Sequence, residues 1–249
     1  MLQGTSAVVI FTKVALAEEM MCELSNQLDA AACCFVWPIT DSSSASRKAH
    51  DIACFNRDRV IEFCGHGLLA SAAVIVEHKA SSLPFIIYSR GKKYGVSDDS
   101  DGRLWLTTSR VAWQSVSQSP VMNCFNVAAM RSAIVGEETG YLILEWPAGF
   151  DLAELSVDLD LLSSLTRRAV IATSRAREEG DVFYLRYFAP QYGQPEDRVT
   201  GSAATVLASY WGCQNARFEQ RSFEGGEILA RLDAETTSIS GNISVQPYR

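Results

Sequence analysis

Apolar residues in this chain come as short strand-length runs and two longer stretches of small residues, with polar breaks between them. Ala7-Val8-Val9-Ile10-Phe11 reads as a strand. Met20, Met21, Leu24 and Leu28 recur at helical spacing and predict a helix over 17–27, with Glu18 and Glu19 near its positive end. Cys33-Cys34-Phe35-Val36-Trp37-Pro38 reads as a second strand stopped by proline, and Asp41-Ser42-Ser43-Ser44 as a loop. Residues 51–56 and 59–63 read as extended. Phe85–Tyr88, Gly95-Val96 and Arg103–Thr107 read as antiparallel strands, with Asp98-Asp99-Ser100-Asp101-Gly102 as a turn. Further on, the pattern predicts helices over 121–135 and 159–167, and strands over 141–145, 169–173 and 182–188.

The two small-residue stretches are Leu68–Val76 and Ala203–Trp211. Each reads as a buried helix, and each follows a glycine turn. The first turn is Phe63-Cys64-Gly65-His66-Gly67. The second is Glu196-Asp197-Arg198-Val199-Thr200-Gly201-Ser202-Ala203. A glycine there lets the backbone approach a ligand closely. The first helical N–H groups then face an anion with the positive end of the helix dipole. Two such turns imply a small carboxylate gripped in a cleft between two α+β lobes. The lobes are expected at 1–114 and 121–249, with the polar residues 115–120 as linker and the last strand free to cross back.

Composition narrows the classes. The 249 residues are 47% hydrophobic and 20% charged, normal for a soluble globular protein. A formal charge of -7 argues against nucleic acid as a partner. The N-terminus shows no secretory signal, and no apolar run is long enough to span a membrane. The 7 cysteines are odd in number and form no Cys-x-x-Cys, so reduced cytoplasmic thiols are expected, with no zinc site. His50, His66 and His78 show no metal-ligand spacing, and no nucleotide motif appears. No metal and no cofactor are therefore expected.

With the motifs in order, the chain resembles the phenazine-biosynthesis PhzF-like proteins, which share the diaminopimelate-epimerase-like fold. The resemblance rests on Phe63-Cys64-Gly65-His66, on Phe188-Ala189-Pro190 with Glu196-Asp197 and Thr200-Gly201-Ser202-Ala203, and on Gln220-Arg221-Ser222-Phe223-Glu224-Gly225-Gly226. It covers the chain from about Gly4 to the C-terminus. It implies an α+β protein of two similar lobes, each a sheet wrapped around a central helix, with the active site in the cleft between them. It also implies a homodimer. His66 and Asp197 match the family's active-site histidine and aspartate. Gly65, Gly67, Gly201, Ser202 and Ala203 fall on its substrate-binding turns.

Three departures change what the resemblance implies. The match begins at Gly4-Thr5-Ser6, so the family's opening strand is expected to be missing, which would expose a sheet edge to a partner or a second copy. The family's acid/base glutamate falls on Ala32, which cannot transfer a proton. Cys64 stands where the family has a small unreactive residue. Cys64-Gly65-His66-Gly67 is similar to the Cys-Gly-Asn-Gly of diaminopimelate epimerases and proline racemases, where that cysteine is an acid/base. Their second cysteine falls at about Val199, so a two-thiol racemase is not expected.

Each candidate has a plainer reading. Cys64 at a helix start has a depressed pKa and acts as a base, or it is a small core residue. His66 contacts ligand or caps the helix. Asp197 orients His66, or it is a turn residue. Ser202 is an N-terminal helix residue under either reading. Cys33 and Cys34 flank Ala32 as substitutes for the glutamate or as core packing. Asp29 reads as a helix C-terminal residue, and Glu62, next to the turn, as a substitute base or, more plainly, a solvated strand residue. The expected function is a cytoplasmic, cofactor-independent isomerase or epimerase acting on a small carboxylate through Asp197, His66 and Cys64. The alternative is a PhzF-like carboxylate-binding protein that has lost catalysis.

Overall fold

The computed structural model describes residues 5–39, 49–57, 59–117, 119–177 and 180–247. The loop expected at 41–44 lies outside them. The chain divides into two compact units, Thr5–Thr108 with the chain from Ser238 onward, and Ser109–Thr237.

The first unit opens with β1 (Ala7–Phe11), α1 (Glu18–Asn26) and β2 (Ala32–Ile39). β1 and β2 pair in parallel, so α1 is a crossover between them. β3 (Ala49–Asn56) runs antiparallel to β2, and the short β4 (Arg59–Val60) pairs with β3. The extension expected over 59–63 is thus limited to two strand residues. α2 (Gly65–Glu77) follows, then β5 (Phe85–Ser89), β6 (Lys92–Asp98) and β7 (Leu104–Ser109) as an antiparallel meander. Asp99 stabilises the turn between β6 and β7 by accepting from the Asp101 and Arg103 amides and the Trp105 indole. Among the described strands β1 pairs with β2 alone, leaving an open edge.

Alternation along β2 and β3 divides their side chains between two helices. Cys33, Phe35 and Phe55 pack with Met21 of α1. Cys34 and Cys54 point the other way, to Gly67 of α2. α2 is long, apolar and rich in small residues, which lets it lie flat on β1 and β2 with Leu68, Ala72 and Ile75 fully buried.

The second unit holds β8 (Trp113–Val116), β9 (Arg131–Val135), β10 (Tyr141–Glu145), α3 (Leu159–Leu165), β11 (Ala169–Arg175), β12 (Val182–Ala189), β13 (Gln194–Asp197), α4 (Gly201–Trp211), β14 (Asn215–Gln220) and β15 (Glu227–Leu232). The strand order is β15-β14-β12-β11-β10-β9-β8, with β13 on β12. β16 (Thr236–Ser240) returns the chain: Thr237 meets Ser209 of α4, and Ser238 meets Thr107 of β7. One sheet face packs Leu142, Leu144, Val170, Ala172 and Phe188 around Trp146. The other carries Glu145, Thr173 and Phe183, which meet Tyr210 and Trp211 of α4.

Two expectations change here. The helix expected over 121–135 is a 3-10 turn, Pro120–Cys124, followed by β9. Asn126 spends its side chain on the Glu154 carbonyl and the Ser156 amide, and pairing with β8 and β10 takes the rest. Ser115 and Val116, expected in a linker, belong to β8, whose exposed polar side chains suit an edge strand.

Candidate functional site

Both glycine turns do open buried helices, and neither helix has a side-chain cap. Cys64 is the N-cap of α2 and Thr200 that of α4, each without a side-chain hydrogen bond to the helix. By contrast, Asp158 of α3 accepts from the Leu161 amide. Gly65, His66 and Gly67 form the first turn of α2, and Gly201, Ser202 and Ala203 that of α4. These six residues carry the N–H groups that precede the first internal helix bonds.

At α2 the surroundings are sulfur and imidazole. Cys64 is 4% exposed, and its Sγ lies 3.9 Å from both ring nitrogens of His66. Cys34 and Cys54 are Cα partners on neighbouring strands, with their sulfurs 3.2 Å apart. A Cβ added to Gly67 would stand 2.6 Å from Cys34 Sγ, 2.7 Å from Cys64 Sγ and 3.3 Å from Cys54 Sγ. A side chain here would have to displace sulfur, because the three thiols occupy its space. Interaction with the Cys34 and Cys54 thiols, and then with His66, pulls the Cys64 pKa well below the usual thiol value against the cost of burial. The same coupling, with burial, pushes Cys34 and Cys54 well above it. Of the three thiols, Cys64 is the one whose surroundings favour the thiolate, with His66 beside it at a helix start.

At α4 the surroundings are hydroxyl, carboxylate and amide. Asp197 accepts from the Thr200 hydroxyl at 2.7 Å and from the Arg198 amide at 2.9 Å. Gln220 ties this loop down: its Oε1 accepts from the Thr200 amide at 2.6 Å, and its Nε2 donates to the Asp197 carbonyl at 2.6 Å. Glu196 faces elsewhere, held by both oxygens to Arg186 at 2.7 and 2.8 Å. The Glu-Asp pair thus divides its work: Glu196 fastens β13 and Asp197 faces the loop. A side-chain hydrogen bond links Tyr141 with Ser202, while burial raises the Tyr141 pKa. Tyr187, opposite Asp197 in the strand register, is also raised, by burial first and then by Tyr141 and Asp197. Tyrosines kept protonated are hydrogen-bond donors at neutral pH.

The first unit thus brings Cys64, Gly65, His66 and Gly67 together. The second brings Asp197, Gly201, Ser202 and Ala203 together. Val199 packs against Gly226, where a Cβ would come within 2.6 Å of it. Ala32 begins β2 fully buried. Sequence reasoning missed Cys54, Tyr141 and Tyr187, and gave Gln220 no role. Gln220 was visible as part of a motif, but Cys54 had no local signal. Among the described residues, no group of three or more His, Cys, Asp or Glu side chains is arranged to hold a metal ion. Among them, no helix is long and apolar enough to cross a membrane.

This architecture is the mixed α+β, diaminopimelate-epimerase-like class. A solved PhzF-family phenazine biosynthesis protein from Enterococcus faecalis superposes with a TM-score of 0.80 at 21% identity, covering 96% of this chain and 90% of that one. A hydroxyproline epimerase from Agrobacterium vitis, with bound trans-4-hydroxy-L-proline, matches at a TM-score of 0.51 and 12% identity, covering 88% and 76%. The chain belongs to the phenazine biosynthesis-like (PhzC-PhzF) family, whose model matches residues 1–231. An uncharacterized isomerase of Pseudomonas aeruginosa is 28% identical, covering 96% of this chain and 89% of the relative. A phenazine biosynthesis-like domain-containing protein of Rattus norvegicus is 26% identical, covering 90% and 85%. Family and isomerase-named relatives together support a general isomerase or epimerase role.

Proposed function

We propose that the protein is an isomerase that moves a proton between carbons of a small carboxylate without a cofactor, using Cys64 as base. The observation that carries this is the place of Cys64, a thiol at an uncapped helix start with His66 at 3.9 Å, surroundings that favour its thiolate. In the proposed step the Cys64 thiolate takes a proton from a carbon conjugated with the substrate carboxylate. The C–H electron pair enters the conjugated system. The thiol then returns the proton to another carbon and the thiolate is regenerated. His66 balances the thiolate charge. Asp197, Gly201, Ser202 and Ala203 serve the substrate, the N–H groups of α4 offering donors for its carboxylate. With valine at the second thiol position, one base suits isomerisation better than inversion of a stereocentre.

The second reading is a carboxylate-binding protein without turnover, favoured by Ala32 at the family's glutamate position. Proton NMR in D2O separates the two, with a panel of dihydro-hydroxyanthranilate-type compounds, amino acids and hydroxyprolines. Deuterium incorporation or a shifted double bond that depends on Cys64 and Asp197 is expected. Saturation-transfer signals with no exchange would establish the binding reading instead. Unchanged exchange rates in both Cys64→Ala and Asp197→Asn would remove the assigned roles.

A further inference from the structure

The cluster around Gly67 goes further than a single reactive cysteine. Side chains along β2 alternate, so Ala32 and Cys34 share the face turned to α2, while Cys33 faces α1. The face on which the family's glutamate position falls therefore carries thiols in this chain. They come from three separate elements. β2 supplies Cys34, β3 supplies Cys54 in direct register, and the N-cap of α2 supplies Cys64. The glycine at 67 leaves the room in which the three sulfurs meet. The other polar groups facing the cluster are on α2: His66 beside Cys64 and the Ser71 hydroxyl beside Cys34.

We propose that Cys34 and Cys54 are positioning residues that act as a pair, one donating its S–H to Cys64 and the other donating to the first, and so hold Cys64 as the proton-accepting thiolate, a three-thiol replacement for the missing carboxylate. This deepens the proposed function and rests on Cys64 being its base. The charge logic is simple. Two thiolates in contact repel, so the cluster carries at most one charge. That charge settles on the sulfur that also has the helix start and His66 beside it, and the other two thiols stay protonated, one donating to Cys64 and the other to its neighbour. The opposed shifts of the three groups agree with this division.

Inert core packing would fill the same space without directing a proton. Substitution separates the two, because serine keeps a donor and alanine removes it. Thiolate absorbance near 240 nm is titrated on the whole protein, with the Cys64→Ala variant subtracted to isolate Cys64. The expected midpoint is below the ordinary thiol value in the wild type. It should rise by about one pH unit in Cys34→Ala and in Cys54→Ala, on the usual scale of one lost partner, and stay low in Cys34→Ser and Cys54→Ser. A midpoint that does not move in the alanine variants overturns the proposal. If the alanine variants do not fold, the serine variants decide: a midpoint held low supports donation, and a return to the ordinary thiol range overturns it. Turnover is read separately in D2O. Correct titration with no turnover leaves the cluster standing and removes the isomerase reading. Turnover that needs Cys64 with an unmoved midpoint does the reverse.

Discussion

The starts of α2 and α4 differ from that of α3 in one respect that matters. α3 is capped by its own Asp158, whereas α2 and α4 are not capped by Cys64 or Thr200. Caps contribute about 1 kcal/mol, and α1 also lacks one at Ala17, so what sets α2 and α4 apart is that their uncapped starts are buried and away from water. The two uncapped starts also differ from each other. Around α2 the polar atoms are three sulfurs and an imidazole, groups suited to holding and moving a proton. Around α4 they are hydroxyls, an amide and a carboxylate wired to the backbone, groups suited to fixing a loop and offering donors. Under the proposed function, the α2 turn supplies the base and the α4 turn supplies donors for a carboxylate.

The largest test of that division is Cys64→Ala. Losing a positioned acid/base costs about 10²–10⁴ in rate, read as deuterium incorporation on the active member of the panel. A variant within threefold of wild type would put the proton-moving group elsewhere. The pH profile sharpens the same point. Cys64 is lowered, so its thiolate persists below the ordinary thiol range and kcat/KM should fall as pH drops through the folded value. The contribution of Cys64 to stability follows the same sign, whereas the raised Cys34 and Cys54 oppose it as pH rises past the unfolded thiol pKa. The thiolate's contribution is present above the unfolded thiol pKa and is lost as pH falls through the folded one.

Next comes Gln220→Ala. Gln220 is 3% exposed and ties the Thr200 amide to the Asp197 carbonyl. Removing it orphans buried backbone groups, and each such loss costs about 1–3 kcal/mol. The expected result is a lower urea midpoint together with weaker carboxylate binding. A stable protein with normal binding would show that the α4 turn holds its shape without this anchor.

Gly67→Ala is expected to be somewhat milder. Its Cβ would meet two sulfurs at 2.6 and 2.7 Å, and sulfur side chains at the end of one rotatable bond have little room to retreat. Overpacking of this kind costs about 1–3 kcal/mol, read as a shifted unfolding midpoint. It should also disturb the Cys64 titration. A normal midpoint for both would mean that the sulfurs are not packed into the glycine's space.

How much of this was legible beforehand depends on how local each signal is. The starts of α2 and α4 were visible because glycine turn and small-residue helix are contiguous in sequence. The register that sets Cys34 against Cys54 spans 20 positions and leaves no local trace. Gln220 stood in a recognisable motif, yet its partners Thr200 and Asp197 lie 20 and 23 positions away. The misread helix over 121–135 fails for the same reason. β9 exists because β8 and β10 flank it, and those partners override local preference.

The smallest expected effect tests the contrast from its other side. Asp158→Ala removes the side chain that accepts from the Leu161 amide at 2.9 Å, and α3 has 7 residues with which to absorb the loss. A lost cap of this type costs about 0.5–2 kcal/mol, and this one belongs at the low end because the bond is exposed to water. Proton exchange should be unchanged, since α3 has no part in the chemistry assigned to α2 or α4. The pairing of readouts is what makes the variant useful. A small drop in the urea midpoint with full exchange activity means that the α3 cap serves stability alone, apart from the chemistry proposed for α2. Exchange lost to the degree seen in Cys64→Ala would mean that stability alone limits turnover, and the difference between capped and uncapped helices would then carry no functional meaning.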